Sequence, residues 1–134
     1  MGSFTDYVEN KVLDHITGKT SFTMPTTVAV ALFTAAPSDA GGGTEVANSN
    51  NYARKATVGA DWQAAASGAT QNANAITFNV PSGSWGTVTH FALMDSSTYG
   101  AGNMLGWSAL TTPQAIGSGN TVSFAVGDLD ITLD

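Results

Sequence analysis

The stretch Thr27-Val-Ala-Val-Ala-Leu-Phe-Thr34 decides the fold class of this chain, because its side chains alternate with the period of a β-strand. One face carries branched apolar residues, and the other carries small residues and a phenylalanine: Val28, Val30 and Leu32 against Ala29, Ala31 and Phe33. A strand with two apolar faces is covered on both sides. We therefore expect this strand to be central in its sheet.

Alternation continues through most of the chain downstream. Thr87–Asp95 again has two largely apolar faces and predicts a second inner strand. Shorter strands are predicted near 52–58, 76–80, 104–110, 115, 121–126 and 129–133. Turns rich in Gly, Pro, Asn and Ser separate them, and Thr112 with Pro113 is expected to end the strand that begins at Met104. Seven or eight such strands predict a mainly β fold, an antiparallel β-sandwich or jelly-roll-like domain.

Upstream of the strands the apolar period is helical. Four apolar residues recur at every fourth position: Phe4, Val8, Val12 and Ile16. Ser3 is expected to cap the start of this helix, and Gly18 is expected to end it. The apolar stripe docks either on the chain's own sheet or on another subunit, and in the second case the four residues are candidate subunit contacts. We predict a single domain over 1–134, with an N-terminal amphipathic helix in 1–18 and a β-sandwich in 27–134.

Composition limits the classes of function. Only 10% of the 134 residues are charged and 43% are hydrophobic, which suits a surface that neighbours cover. Four Lys and Arg against ten Asp and Glu give a net charge of −6, which repels a phosphate backbone, so no nucleic-acid partner is expected. We also expect no membrane partner and synthesis in the cytoplasm without a signal peptide, because the chain lacks the apolar runs that both require.

No catalytic, cofactor or metal site is predicted. A nucleophilic triad of His90, Asp95 and Ser108 has no supporting motif. Gly41, Gly42 and Gly43 are not followed by the Lys-Ser or Lys-Thr pair of a phosphate loop. The acidic residues of the last strand do not have the spacing of a calcium loop and are interpreted as a charged, solvated edge: Asp128, Asp130 and Asp134.

The three tryptophans, Trp62, Trp85 and Trp107, are candidate aromatic anchors of the core or of an interface. The alternative interpretation is a platform that stacks on sugar rings. That alternative would make the chain a carbohydrate-binding module.

Five segments resemble the short tailed-phage proteins that are commonly labelled tail fibre proteins. They are Val30–Val46, Tyr52–Arg54, Trp85–Phe91 leading to Asp95, Trp107–Pro113 and Gly127–Leu133. The resemblance covers almost the whole chain. It implies a non-enzymatic structural protein of the virion, made in the host cytoplasm, with other virion proteins as partners and with a host-surface glycan as a further candidate partner.

Within the virion two places stay open. A globule of this length has no shaft, so it is expected either as a tail-fibre appendage or adhesion module, or as a capsid decoration (cement) protein. The scarcity of charge and the excess of apolar surface also predict a homo-oligomer, a trimer or a dimer.

Overall fold

A computed structural model describes residues 2–133 of the chain. Met1 and Asp134 lie outside the described residues. They are the two ends of the predicted domain, and Asp134 is also one of the three acids of the predicted charged edge. The described part contains one helix, α1 (Asp6–Ile16), and ten strands: β1 (Ser3–Phe4), β2 (Val28–Ala35), β3 (Thr44–Glu45), β4 (Lys55–Thr57), β5 (Ala69–Gln71), β6 (Ile76–Thr77), β7 (Gly86–Met94), β8 (Met104–Ile116), β9 (Ser123–Phe124) and β10 (Asp130–Thr132). The predicted mainly β, antiparallel fold with a single helix near the N-terminus is confirmed.

Six strands form the main antiparallel sheet. Its order is β1-β8-β7-β2. On the outer edge of β2, β4 pairs with the beginning of β2 and β3 pairs with the end of β2. The two stretches predicted as inner strands become β2 and β7, which pair with each other from Ala29↔Met94 to Phe33↔His90. Two ribbons complete the architecture, β5 with β10 and β6 with β9.

The two faces of the main sheet carry different cores. The first face packs against α1 and both ribbons, and its cluster includes Val30, Leu32, Val88, Phe91 and Leu93. Each fully buried side chain of this kind contributes about 1.5–3 kcal/mol. The second face is built from smaller and more flexible residues: Ala31, Phe33, Ala92, Met94 and Met104, with Trp107 at the side. Most of the hydrophobic stabilisation therefore comes from the first face.

The helix begins later than the sequence predicts. Ser3 pairs with Trp107 in the β1–β8 ladder, so the prediction that it caps the helix is wrong. Thr5 is the N-cap residue, but its hydroxyl donates to the carbonyl of Met104 instead of capping the helix. Pairing with a distant strand has overridden the local capping signal.

The prediction that Thr112 and Pro113 end a strand is also wrong, because β8 continues to Ile116. Ala109 pairs with His90 and Gln114 pairs with Val88, so residues 110–113 face a single residue of β7. This bulge of four residues accommodates Pro113, which has no N–H to donate to a neighbouring strand. The predicted short strand near residue 115 is the end of β8.

A glycine-rich loop, 36–43, connects β2 to β3 and is fastened to the N-terminal segment. The carbonyl of Asp39 accepts from the backbone N–H of Asp6 at 2.9 Å, and its carboxylate accepts from the Ser3 hydroxyl at 2.6 Å. Gly43 has a φ of +77°, and a Cβ added there would lie 2.8 Å from the backbone nitrogen of Pro37. The loop therefore needs glycine at position 43 for both conformation and space.

We predict that Gly43→Ala destabilises the protein more than Gly119→Ala. Both residues have a left-handed φ, but a Cβ at Gly119 meets no atom within 4 Å. Comparing the two variants therefore separates steric overlap from backbone strain. The overlap at position 43 is expected to increase the loss of unfolding free energy by about 1–3 kcal/mol. Urea unfolding of the two variants measures the difference, and equal losses would contradict the close approach at Gly43.

Candidate functional site

A buried ion pair joins the segments that flank β3 and β4. The guanidinium of Arg54 donates from Nε to Oε1 and from Nη2 to Oε2 of Glu45, each at 2.8 Å. Its Nη1 donates to the carbonyls of Ser96 and Ala101 at 3.0 and 2.7 Å. This is the one salt bridge among residues 2–133, and its side chains are 3% and 10% exposed. One cation thus connects β3 to the 95–103 loop between β7 and β8.

The hydroxyl of Tyr52 extends this network to the main sheet. It accepts from the backbone N–H of Leu32 at 3.0 Å and donates to Oε1 of Glu45 at 2.9 Å. Leu32 lies where the outer edge of β2 passes from β4 to β3. The hydroxyl therefore supplies the partner that a continuous neighbouring strand would supply.

The surroundings favour the neutral tyrosine and the charged arginine. Burial, which penalises the phenolate, raises the pKa of Tyr52 far above its ordinary value. The hydrogen bonds to Glu45 raise the pKa of Arg54 above its ordinary value. At neutral pH the tyrosine is therefore neutral and the arginine is charged.

An open groove of about 610 Å³ lies over this network. Its walls are residues 39–43, residues 100–104 and the start of α1 at residues 5–7. Its floor includes Phe33, Glu45, Arg54 and Met94. We call it the glycine groove, because both of its loop walls are rich in glycine. Three of the segments that carry the family resemblance lie at this groove. They are 30–46, 52–54 and the segment that ends at Asp95, and the loop after Asp95 forms one wall.

The predicted subunit contacts are divided between the core and the surface. Phe4 and Val8 line a small apolar groove of about 270 Å³, and Val12 packs against the first-face core. Ile16, at the far end of the helix, is 70% exposed. Most of the stripe thus docks on the chain's own sheet, and Ile16 is the member that is left for a neighbour.

The three tryptophans lie in three different environments. Trp62 lines the same small apolar groove, and its Nε1 donates to the hydroxyl of Thr57 at 2.9 Å. Trp85 is buried in the first-face core, and its Nε1 donates to the carbonyl of Asn50 at 2.9 Å. Trp107 lies on the second face beside His90, and its Nε1 has no partner among the described residues. The three residues therefore do not form one platform.

Two residues of the hypothetical triad, His90 and Asp95, form hydrogen bonds with residues outside it. The Nδ1 atom of His90 lies 2.8 Å from the hydroxyl of Thr89. The carboxylate of Asp95 accepts from the backbone and side chain of Asn103 and so closes the 95–103 loop. Within residues 2–133 no group of three or more His, Cys, Asp or Glu could hold a metal ion. No helix in the described part of the chain is long and apolar enough to span a membrane.

Neither the buried network nor the glycine groove is predicted by the sequence. Glu45 ends the two-residue strand β3 and Arg54 precedes β4, nine positions apart, where no periodicity brings them together. One signal was present, because Arg54 is the single arginine of the chain and stands in a stretch of low charge. Arginine is the residue best suited to a buried ion pair with a carboxylate, although Lys55 beside it weakens this signal.

We predict that Tyr52→Phe destabilises the protein by about 1–3 kcal/mol, because it leaves the N–H of Leu32 buried without a partner. The variant should also change how the free energy of unfolding depends on pH above neutrality. The folded pKa is raised, so the tyrosine's contribution is fully present below its ordinary pKa of 10.0 and is lost as the pH rises above it. Unfolding free energies from neutral to alkaline pH should fall less steeply for Tyr52→Phe than for the parent chain. Parallel curves would contradict a buried phenol.

Comparison with known protein families supports the resemblance found in the sequence. The family model described as podophage GP4 fiber I protein gp80 matches residues 3–132, which is nearly the whole chain and all of its described strands and helix. No curated protein matches the chain. Because the match spans the fold from β1 to β10, the chain belongs to the family of the podophage GP4 fiber I protein gp80, a family of phage fibre proteins.

Proposed function

We propose that the chain is a non-catalytic structural module of a podophage tail fibre. The observation that carries this proposal is the family match, which covers residues 3–132 and not a local motif. A fibre module has to hold its surfaces in fixed positions, so we expect its interior to be rigid. The buried polar groups of this chain make its interior rigid.

Two polar centres join the layers of the fold. The Glu45–Arg54 pair with Tyr52 connects β2, β3 and the 95–103 loop. Asn72 is fully buried and connects the two ribbons. Its amide nitrogen donates to the carbonyls of Asn74 and Ala125, and its amide oxygen accepts from the N–H of Leu129. Fully satisfied buried networks of this kind rigidify a fold.

The outer end of α1 is the proposed contact with other copies of the chain. Leu13 is 56% exposed and Ile16 is 70% exposed on this helix, and Met24 in the segment that follows is more exposed still. Leu13 and Ile16 lie three positions apart on the helix, so their exposed side chains are neighbours on its surface. We propose a homo-oligomer, a trimer or a dimer, in which this end of the helix is covered, with other virion proteins as further partners.

Ile16→Asp should weaken self-association without unfolding the chain, because the side chain contributes little to the core. The matched control is Val126→Asp, which places the same charge at a residue of similar exposure (57%) away from α1. Sedimentation velocity should show a shift towards monomer for Ile16→Asp alone. A parent chain that is already monomeric at high concentration, or equal shifts for both variants, would contradict the proposed contact.

The number of copies per particle tests the place in the virion. A tail-fibre module should be present in a few to a few dozen copies, at the tail, in quantitative mass spectrometry and electron microscopy of purified virions. Hundreds of copies on the head would contradict the fibre proposal and would indicate the alternative, a capsid decoration protein.

A further inference from the structure

The small apolar groove differs in its lining from the two larger grooves of the molecule. Nine of the ten described residues that line it are apolar, and the tenth is Thr70. Carboxylates line the others: Asp6, Asp39 and Glu45 in the glycine groove, and Asp128 in a groove beside the bulge of β8. Water in the small apolar groove therefore has few polar partners, so an apolar occupant is favoured there.

The size of the small apolar groove fits an amino-acid side chain better than a free ligand. Its volume of about 270 Å³ exceeds the roughly 150 Å³ of an apolar cavity that holds one benzene molecule, but it lies below the range of small-ligand sites, about 300–1,000 Å³. Its two side-chain donors are already used. The hydroxyl of Thr70 donates to the carbonyl of Gln63 at 2.7 Å, and the Nε1 of Trp62 donates to the hydroxyl of Thr57 at 2.9 Å. The groove therefore selects an occupant by apolar shape.

The rim of the groove carries an exposed methionine. Met24 is 82% exposed and stands between two lining residues of the groove, Phe22 and Pro25. A methionine side chain is long, unbranched and flexible, so it can fill an irregular apolar gap. One patch of the surface thus holds both an apolar groove and a side chain of the kind that fills one.

We propose that two copies of the chain pack through this patch, with Met24 of each copy seated in the small apolar groove of the other. The inference rests on the proposed homo-oligomer and names the surface that receives Met24. A two-fold contact requires a patch that is complementary to itself. A groove with Met24 on its own rim meets this requirement, because one rotation places each methionine over the opposite groove.

The distribution of charge also favours this face for a contact between identical copies. Each copy has a net charge of −6, so two copies repel one another. A patch whose groove has no carboxylate among its described lining residues lets them approach with a smaller penalty. At its border, Asp61 precedes Trp62, and Lys55 is close enough for its positive charge to act on Asp61. The border therefore has charges of both signs on the Trp62 side.

Disulfide cross-linking tests which surfaces meet, because the chain has no cysteine of its own. Two single variants are mixed, Met24→Cys and Val28→Cys, the second at a half-buried residue of the groove lining. Mild oxidation should give a mixed dimer, identified by mass spectrometry of the linked peptides, because a disulfide needs Cα atoms about 4.4–6.8 Å apart. Val126→Cys mixed with Val28→Cys is the control, since Val126 is 57% exposed outside the groove lining. A yield no higher than that of the control would overturn the proposal.

Sedimentation velocity of Met24→Gln measures the same contact without a cysteine. Glutamine keeps the length of the side chain and removes its apolar character, so the dissociation constant of the dimer should rise at least about tenfold. Val126→Gln should leave it unchanged. A monomeric parent chain, an oligomer that Met24→Gln does not weaken, or equal effects of the two variants would contradict the contact. The position and copy number of the protein in virions are measured separately, so a failure of this contact alone leaves the fibre function standing.

Discussion

The buried pair of Glu45 and Arg54 is the interaction on which the outer edge of the main sheet depends. That edge is assembled from two short strands, β3 and β4, and the gap between them falls at Leu32. The Tyr52 hydroxyl bridges this gap, because it accepts from the N–H of Leu32 and donates to Oε1 of Glu45. Arg54 holds the Glu45 carboxylate in place by donating to both of its oxygens. Removing one partner of such a pair leaves an uncompensated buried charge, which typically costs about 3–5 kcal/mol.

The same pair determines the shape of the second face. Because Arg54 also binds two carbonyls of the 95–103 loop, the loop is held beside the glycine-rich connection that Ser3 and Asp6 fasten to the N-terminal segment. The result is a preformed groove with glycine walls and a rigid floor.

The central strands and the helix were predictable because their signals are periodic and local. Two apolar faces at 27–34 and 87–95 can be satisfied only inside a sheet, and that is where β2 and β7 lie. Ser3 and Pro113 were misinterpreted because distant pairing with β8, and a bulge within it, overrode local capping and strand-breaking tendencies. The groove could not be predicted, because its walls come from loops about sixty residues apart that only the folded sheet brings together.

A double-mutant cycle on Glu45→Gln and Arg54→Met tests the central role of the buried pair most directly. If the pair supports the edge of the sheet, each single variant should lose about 3–5 kcal/mol of unfolding free energy. The double variant should lose clearly less than the sum, by about 1–3 kcal/mol, because neither charge is left unpaired. Additive losses of under about 1 kcal/mol each, as for solvent-exposed pairs, would contradict the account.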